Sequence, residues 1–228
     1  MIRLHLVVEG QTEEAFVNAL LREHLAARGV FADARCVETG RDKRSGHIYR
    51  GGVLDYGRAK RDLCRWMRQD EHSEVYFTTM FDLFALPADF PGYEAAKGKG
   101  DPYLRVAALE QAFAEDLPHP RFFPYIQLHE FEALLLSDPA MFEVEFVGRR
   151  DPIGNLRRVS EAYASPELIN DGRETAPSKR IIKELPEYAG MKASAGPVIA
   201  KAIGLATIKA KCAHFRDWLL KLEKLGGG

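Results

Sequence analysis

Residues 4–13 read LHLVVEGQTE, and this stretch decides the fold of the chain. The hydrophobic run Leu4–Val8 ends at Glu9 and Gly10, and a helical pattern begins at Thr12. This order predicts a strand, a tight turn and a helix, with the Glu9 carboxylate at the carboxyl end of the strand. Ligands bind at this edge of parallel α/β sheets. A lone acid at a strand end is a weak signal, because many strands end in a polar residue.

Acidic residues follow two further strand-like runs in the same way. Asp82 follows the apolar run VYFTTMF at 75–81, and Glu130 and Glu132 follow a third such run. Carboxylates that several strand ends deliver to one edge are the arrangement a divalent metal site needs. We therefore expect Glu9, Asp82 and Glu132 to hold Mg²⁺ or Mn²⁺. The simpler interpretation of Asp82 is a turn or helix-capping aspartate.

The neighbouring polar residues leave alternatives open. Glu13 lies one turn into the first helix, where it either caps the helix or points back at the same edge. His129 is a candidate metal ligand, a proton shuttle or a buried structural imidazole. Glu130 and Glu132 do not share a helix face, since facing positions are three or four residues apart. One of them is therefore expected to face the site, and Glu130 or His129 is expected to move protons.

Length and composition suit a globular protein of the cytoplasm. The chain has 228 residues, 46% of them hydrophobic, which fits one sizeable domain or a domain with a small appendage. No apolar stretch approaches the roughly 20 residues that span a membrane, and no signal peptide of the usual kind is expected. The cysteines, Cys36, Cys64 and Cys212, lack metal-ligand spacing, which indicates reduced core thiols.

The charge is balanced overall but uneven along the chain. A net charge of −1 gives no global attraction to nucleic acid. The segment 41–68, however, carries nine basic residues against three acidic ones and includes Lys43 and Arg44. Smaller basic groups follow around Arg149 and Lys179. Each group alone is typical of a solvated surface, whereas three of them beside acidic strand ends suit a polyanionic substrate.

The segment APSKRI at 176–181 is a second candidate site for phosphate. Ser178 is placed to cap a helix that carries Lys179 and Arg180 in its first turn, where bases are unfavourable for the helix dipole. A helix start with bases and free N–H groups can bind phosphate. We therefore expect Lys179 and Arg180 to neutralise phosphate, together with Lys43 and Arg44; the alternative is an exposed turn.

The remaining pattern predicts an α/β fold, a mainly parallel sheet flanked by helices with a helical C-terminal part. Strands are predicted at 4–8, 32–38, 74–81 and 122–128, where Pro124 indicates an edge strand or a bulge. Helices are predicted at 12–28, 56–68, 102–116, 130–136, 156–163, 179–185, 197–203 and 206–225, a mobile loop at 40–54 and an ordered loop at 83–102. The predicted units are an α/β domain at 1–138, a helical extension packed on it at 139–225 and a tail at 226–228.

At these residues the chain resembles the topoisomerase–primase (TOPRIM) domain, which places a glutamate after its first strand and an Asp-x-Asp motif after a later one. Glu9, within VVEGQTE, matches the first position, particularly in the form seen in overcoming-lysogenization-defect nucleases. Asp82 matches the first aspartate, but Phe84 stands in place of the second. The resemblance also implies a downstream acid, for which Glu130 or Glu132 is the candidate, and a nearby lysine, for which it is Lys179.

The chain is also similar, over roughly residues 1–222, to a bacterial family known as domain of unknown function 4276. The segments that carry this similarity are VEGQTE at 8–13, FDLFALP at 81–87, FPG at 90–92, PYIQLHEFE at 124–132 and PSKRI at 177–181. The family resemblance implies a neighbouring ATPase of the ABC/SMC-like type, in a phage-defence or toxin-like setting.

From these features we expect a metal-dependent phosphodiester hydrolase, a nuclease that acts on DNA or RNA. The three strand-end carboxylates would hold one or two Mg²⁺ or Mn²⁺ ions, and the bases would neutralise the phosphate. Nucleic acid, the ATPase and a second copy of the chain are the expected partners. Phe84 in place of the second aspartate favours a non-catalytic partner of an ATPase instead, and a small-phosphoester hydrolase is a third alternative.

Overall fold

A parallel β-sheet lies at the centre of the computed structural model, which describes residues 1–41, 48–50, 55–169 and 172–227. In chain order the strands are β1 (Ile2–Val8), β2 (Val30–Cys36), β3 (Glu38–Arg41), β4 (Ile48–Arg50), β5 (Val75–Asp82), β6 (Phe122–Phe123) and β7 (Ile126–Gln127). The sheet has the order β2-β1-β5-β6, β7 also pairs with β5, and all of these pairs are parallel. The predicted α/β class is therefore confirmed.

Helices flank the sheet and make up most of the C-terminal part. They are α1 (Gln11–Phe16), α2 (Arg22–Ala26), α3 (Tyr56–Gln69), α4 (Tyr93–Lys97), α5 (Pro102–Asp116), α6 (Glu132–Leu135), α7 (Arg150–Glu161), α8 (Pro177–Glu184), α9 (Lys192–Ile203), α10 (Leu205–Lys211) and α11 (Ala213–Lys224). A π-helical turn (Val17–Leu21) joins α1 to α2. None of the helices in the described ranges is long and apolar enough to cross a membrane.

The two faces of the sheet bury different hydrophobic cores. Because alternate residues of a strand point to opposite faces, β1 contributes to both. On one face, Leu4 and Leu6 pack in the same core as Phe16 and residues of the C-terminal helices such as Phe215. On the other face, Val7 packs in a second core with residues of α3 and α5. The helices after residue 138 thus share a core with β1, while the predicted domain boundary there stays a prediction.

Two predicted loops and two predicted elements, the helix at 206–225 and the strand at 122–128, differ from the structure. The predicted loop at 40–54 is wrong at residues 40–41 and 48–50, because β3 and β4 pair there as antiparallel strands. Residues 42–47 and 51–54, with Lys43 and Arg44, lie outside the described residues. The predicted loop at 83–102 contains α4. The predicted helix at 206–225 is two helices, because Cys212 takes an extended conformation between them.

Pro124 interrupts the predicted strand at 122–128, since proline has no N–H to donate. The structure therefore has β6 and β7 on either side of the break, each paired with β5 over two residues. At the break the Thr79 hydroxyl donates to the Tyr125 carbonyl and accepts from the Tyr125 N–H, both at 3.0 Å. A side chain of β5 thus replaces the missing ladder bonds.

Thr78, the residue before Thr79 in β5, makes similar side-chain hydrogen bonds. The Thr78 hydroxyl donates to the carbonyl of Phe123 at 2.6 Å and accepts from the indole N–H of Trp218 at 3.0 Å. Trp218 lies on α11, so the C-terminal helix is tied directly to this edge of the sheet.

Candidate functional site

Five carboxylates lie close together at the carboxyl edge of the sheet, and we call them the carboxylate cluster: Glu9, Glu13, Asp82, Glu130 and Glu132. Glu9 directly follows β1 and Asp82 ends β5, the parallel neighbour of β1. The backbone N–H of Asp82 donates to Oε2 of Glu9 at 3.0 Å, which ties the two strand ends together. The structure thus brings together the three predicted metal ligands and adds Glu13 to them.

Glu13 both caps its helix and belongs to the carboxylate cluster. Its Oε2 accepts from the N–H of Gly10 at 2.9 Å, which closes the turn between β1 and α1. A Cβ on Gly10 would lie only 3.3 Å from that oxygen, so glycine makes the close approach easy. The Glu13 side chain is buried and raises the pKa of both Glu9 and Asp82. Glu13 therefore has both of its alternative roles: it caps the helix and it lies at the same edge of the sheet as Glu9.

Burial and mutual repulsion raise the pKa values of the cluster. Burial, followed by the Glu13 carboxylate, raises the pKa of Glu9 to about 7. Burial also raises the pKa of Glu13 to about 7 and is the largest cause of the raised pKa of Glu132. For Asp82, burial and then the charge of Glu9 raise the pKa well above its ordinary value. The cluster thus retains protons near neutral pH that isolated carboxylates lose.

One oxygen of the cluster has no protein partner in the described part of the chain. Oδ1 of Asp82 is buried and makes no hydrogen bond there. Buried polar atoms are nearly always satisfied, so this oxygen is suited to a ligand. The glutamates all have donors: Glu9 has the Asp82 N–H, Glu13 the Gly10 N–H, Glu130 the Ser178 N–H and Glu132 the Lys192 ammonium.

Lys192 is a basic residue of the cluster that was not among the predicted residues. Its Nζ lies 2.9 Å from Oε1 of Glu132, and the Tyr188 hydroxyl donates to the same oxygen at 3.4 Å. Burial lowers the pKa of Lys192, but Glu132 and then Glu130 raise it to a net value above the ordinary one, so the side chain is charged. Lys192 begins α9, and the packing of α9 against α1 delivers it to the site.

The predicted phosphate-binding residues of α8, Lys179 and Arg180, do not take part in the contact between Lys192 and Glu132. Glu130 accepts from the Ser178 N–H at 2.9 Å and so caps the start of α8, where the helix dipole favours an anion. Arg180 donates to the Tyr163 hydroxyl at 3.1 Å and its guanidinium lies over the Tyr163 ring. Lys179 is exposed. The ion pair within the cluster is therefore made by Lys192, and a role in phosphate binding stays a prediction for both bases of α8.

His129 packs outside the carboxylate cluster. Its ring centroid lies 5.4 Å from that of Phe84, and it hydrogen-bonds to the backbone of Glu167. Burial, as the largest cause, lowers the pKa of His129 to about 4, so the ring is neutral at pH 7. Its backbone is left-handed, with φ 63°, which is uncommon for a residue other than glycine. This geometry favours the buried structural imidazole among the three alternatives.

The donor chemistry of the cluster fits Mg²⁺ or Mn²⁺, although the side chains are not arranged around an ion. Within the described ranges, no three His, Cys, Asp or Glu side chains are placed to hold a metal together. The hydrogen bond of Glu13 and the ion pair of Glu132 explain this, since both carboxylates are engaged by protein donors. Carboxylate oxygens are the preferred ligands of hard cations, and Oδ1 of Asp82 is open to one.

The raised pKa values predict that Mn²⁺ stabilises the protein more at pH 8 than at pH 5. Between the ordinary carboxylate pKa of 4.5 and the folded value of about 7, the folded protein binds more protons than the unfolded chain. Stability due to these groups therefore falls as pH rises through this window, by about 1.4 kcal/mol per pKa unit for one group at most. A cation on the ionised carboxylates offsets this loss.

The measurement is the melting temperature with Mn²⁺ and with EDTA at both pH values. We expect the Mn²⁺-dependent increase to be large at pH 8 and small at pH 5, and to shrink in Glu9→Gln. An equal increase at both pH values would show that the ion binds elsewhere.

Gly196 sets the close contact between α9 and α1, and its replacement tests that contact. A Cβ at this position would lie 3.1 Å from Phe131, 3.3 Å from Thr12 and 3.3 Å from the Tyr188 hydroxyl. We expect Gly196→Ala to be about 1–3 kcal/mol less stable to unfolding than Gly154→Ala, because overpacking opposes the helix preference that both alanines share. Urea unfolding measures it. The control is Gly154→Ala on α7, where a Cβ meets nothing within 4 Å and alanine favours the helix. Similar stability of the two variants would contradict the packing argument.

The chain belongs to the family described as Domain of unknown function (DUF4276), whose model matches residues 8–223. No curated protein gives a significant match. Among solved structures, the chain is similar to the C-terminal region of the OLD protein of Xanthomonas campestris pv. campestris. The structure phased with platinum has 14% identity and a TM-score of 0.40, covering 96% of this chain and 95% of that one. The structure phased with iodine has 14% identity and a TM-score of 0.37, covering 97% of each chain.

Proposed function

We propose that this member of the DUF4276 family is a metal-dependent phosphodiester hydrolase that acts on DNA or RNA. The observation that carries the proposal is the buried Oδ1 of Asp82, which has no hydrogen-bond partner among the described residues. It lies within a cluster of carboxylates at the carboxyl edge of a parallel sheet. Ligands bind at this edge in parallel sheets, and such an oxygen suits a hard cation. Glu9 and Asp82 also occupy two acidic positions of the TOPRIM pattern.

The residues of the carboxylate cluster would have different roles in this reaction. Glu9 and Asp82 would hold Mg²⁺ or Mn²⁺, and Glu132 would join them by exchanging its contact with Lys192. The ion would polarise the phosphate and lower the pKa of a bound water. Glu13, whose pKa is about 7, is suited to take a proton from the attacking water and return it. This role was expected of His129 or Glu130.

Lys192 is suited to neutralise charge on the phosphate. Its side chain is 37% exposed, while its partner Glu132 is only 5% exposed, so the ammonium lies between the buried carboxylates and solvent. A positive charge fixed in this way can stabilise the charge that develops on a phosphoryl group. Lys192 thus takes the part that the TOPRIM resemblance implied for Lys179. The ABC/SMC-like ATPase partner and the phage-defence setting belong to the same proposal and rest on that resemblance.

A second candidate function is that of a non-catalytic partner of an ATPase. Two observations favour it: Phe84 stands where the TOPRIM pattern has its second aspartate, and no three His, Cys, Asp or Glu side chains of the described residues are placed to hold a metal ion. In that case the carboxylate cluster would serve as a proton-holding or protein-binding surface.

Cleavage assays with single-stranded and duplex DNA and with RNA separate the two candidates. We expect cleavage with Mn²⁺ and none with EDTA. Glu9→Gln should lower the rate about 100-fold or more, since it removes a charged ligand. Glu23→Gln is the matched control, because Glu23 is exposed on α2, and it should cleave normally. No cleavage of any substrate, even with the neighbouring ATPase added, would overturn the hydrolase and favour the second candidate.

A further inference from the structure

A cavity of about 170 Å³ lies next to the end of β5 and takes no part in the proposed chemistry. Leu83 and Phe84, the two residues that follow Asp82, form one side of it. The other side is formed by α4 and α5, chiefly through Tyr93, Lys97 and Arg105. The lining therefore combines two aromatic rings with two cationic side chains, within two residues of a candidate metal ligand.

Phe84 presents a fixed aromatic ring to this cavity. The side chain is 41% exposed, although it lies only two residues beyond the end of a buried strand. The His129 ring packs against it at 5.4 Å between centroids, and the Phe84 N–H donates to the His129 carbonyl at 3.1 Å. A single exposed aromatic residue is ordinary on a protein surface. A ring that is anchored on one side and lines a cavity with cations is a platform on which a base can stack.

The two cations at the cavity differ in how firmly they are held. Arg105 donates from Nε at 3.2 Å and from Nη2 at 2.8 Å to the carbonyl of Lys99, which fixes the plane of its guanidinium. The Lys97 ammonium lies 6.0 Å from the centroid of Tyr93 and 3.9 Å from the Glu94 carboxylate, and it is well exposed. An aromatic platform flanked by such cations is the set of groups that recognises an unpaired nucleotide.

We propose that this cavity binds one unpaired nucleobase of the nucleic-acid chain whose phosphate lies at the carboxylate cluster. Phe84 stacks on the base, and Arg105 and Lys97 contact the adjoining phosphates. The position that the TOPRIM pattern gives to a metal ligand thus serves substrate selection in this chain. A base pair keeps its faces covered by its neighbours, so the site selects single-stranded or flipped nucleotides over duplex. This inference rests on the proposed function for its substrate class.

The test measures base binding separately from cleavage. A single-stranded oligonucleotide with one 2-aminopurine is titrated with Asp82→Asn protein in EDTA at pH 6, where the protons of the cluster limit repulsion. We expect the 2-aminopurine fluorescence to be quenched. Adding Phe84→Leu should weaken binding about 5-fold to 100-fold, whereas Phe84→Trp should retain it. Phe31→Leu is the matched control, because Phe31 is 47% exposed on β2, and it should bind normally.

The outcomes separate this inference from the hydrolase proposal. Quenching that Phe84→Leu leaves unchanged, equally tight binding of duplex, or no quenching with any oligonucleotide overturns the base site. If the wild type still cleaves and Asp82→Asn does not, the hydrolase proposal is retained while the base site is rejected. Quenching that depends on Phe84, in a protein that cleaves nothing, supports the base site and overturns the hydrolase.

Discussion

Asp82→Asn is expected to abolish Mn²⁺-dependent cleavage while leaving the protein at least as stable as the wild type. The amide keeps nearly the shape of the carboxylate but removes the charge that a metal needs. It also replaces a carboxyl group whose pKa burial and the charge of Glu9 raise well above the ordinary value, so an unfavourable buried charge is removed. Loss of activity without loss of stability is the signature of a ligand-binding residue rather than a structural one.

Cleavage rates with Mn²⁺ and melting temperatures in EDTA at pH 8 test this expectation. The rate should fall by about 100-fold to 1000-fold or more. Asp70→Asn is the control, since Asp70 bonds Arg3 at 2.7 Å and His5 at 2.9 Å on β1 but lies outside the carboxylate cluster. We expect Asp70→Asn to have a lower melting temperature and a normal cleavage rate. Normal cleavage by Asp82→Asn, or a large fall in its melting temperature, would remove Asp82 from the proposed mechanism.

The largest effect on stability is expected at Glu167, a fully buried carboxylate. Its Oε1 accepts from the N–H of Phe215 at 2.9 Å, and its Oε2 accepts from the N–H of His214 at 3.0 Å and from the Tyr103 hydroxyl at 3.1 Å. Glu167 thus caps α11 and ties it to α5. In Glu167→Gln one accepting oxygen becomes an NH₂ group that faces other donors. Since bonds to charged groups contribute about 1.5–3 kcal/mol each, we expect a loss of about 2–4 kcal/mol.

Urea unfolding at pH 7 measures the loss in Glu167→Gln. The matched control is Glu161→Gln at the exposed end of α7, which should change stability by no more than about 0.5 kcal/mol. A loss below about 1 kcal/mol in Glu167→Gln would mean that the amide rotates to satisfy these donors, and that the charge of Glu167 is not what holds α11.

The strand ends of the site could be predicted because their signals are local. Glu9 and Asp82 each follow a mostly hydrophobic run, and in a parallel sheet such positions meet at one edge. Pro124 predicted an edge strand or a bulge at 122–128, because the missing N–H is a property of that residue alone, and the structure has a break in the strand there. The Thr79 hydroxyl, which hydrogen-bonds to Tyr125 at the break, lies 46 positions before Tyr125 in the chain. The sequence gives no signal of this contact.

The remaining site residues depend on packing between distant segments. Lys192 reaches Glu132 only because α9 packs on α1, with Gly196 at the contact. Glu167 lies in a 3₁₀ turn too short to show a hydrophobic period. The left-handed backbone of His129, which directs its ring toward Phe84, is rare outside glycine and cannot be read from a histidine in a sequence.

The side-chain joints of Thr78 and Thr79 have a consequence for the order in which the chain folds. β1, β2 and β5 all lie within the first 82 residues, so their backbone ladders can form early during synthesis. The far side of β5 is completed by two-residue strands and by Trp218, which follows Thr78 by 140 positions. Until residues 122–127 are synthesised, β5 is an open edge, and open edges recruit other strands. We expect chains shortened before Phe122 to aggregate through the open edge of β5, and chains shortened between Gln127 and Trp218 to aggregate less.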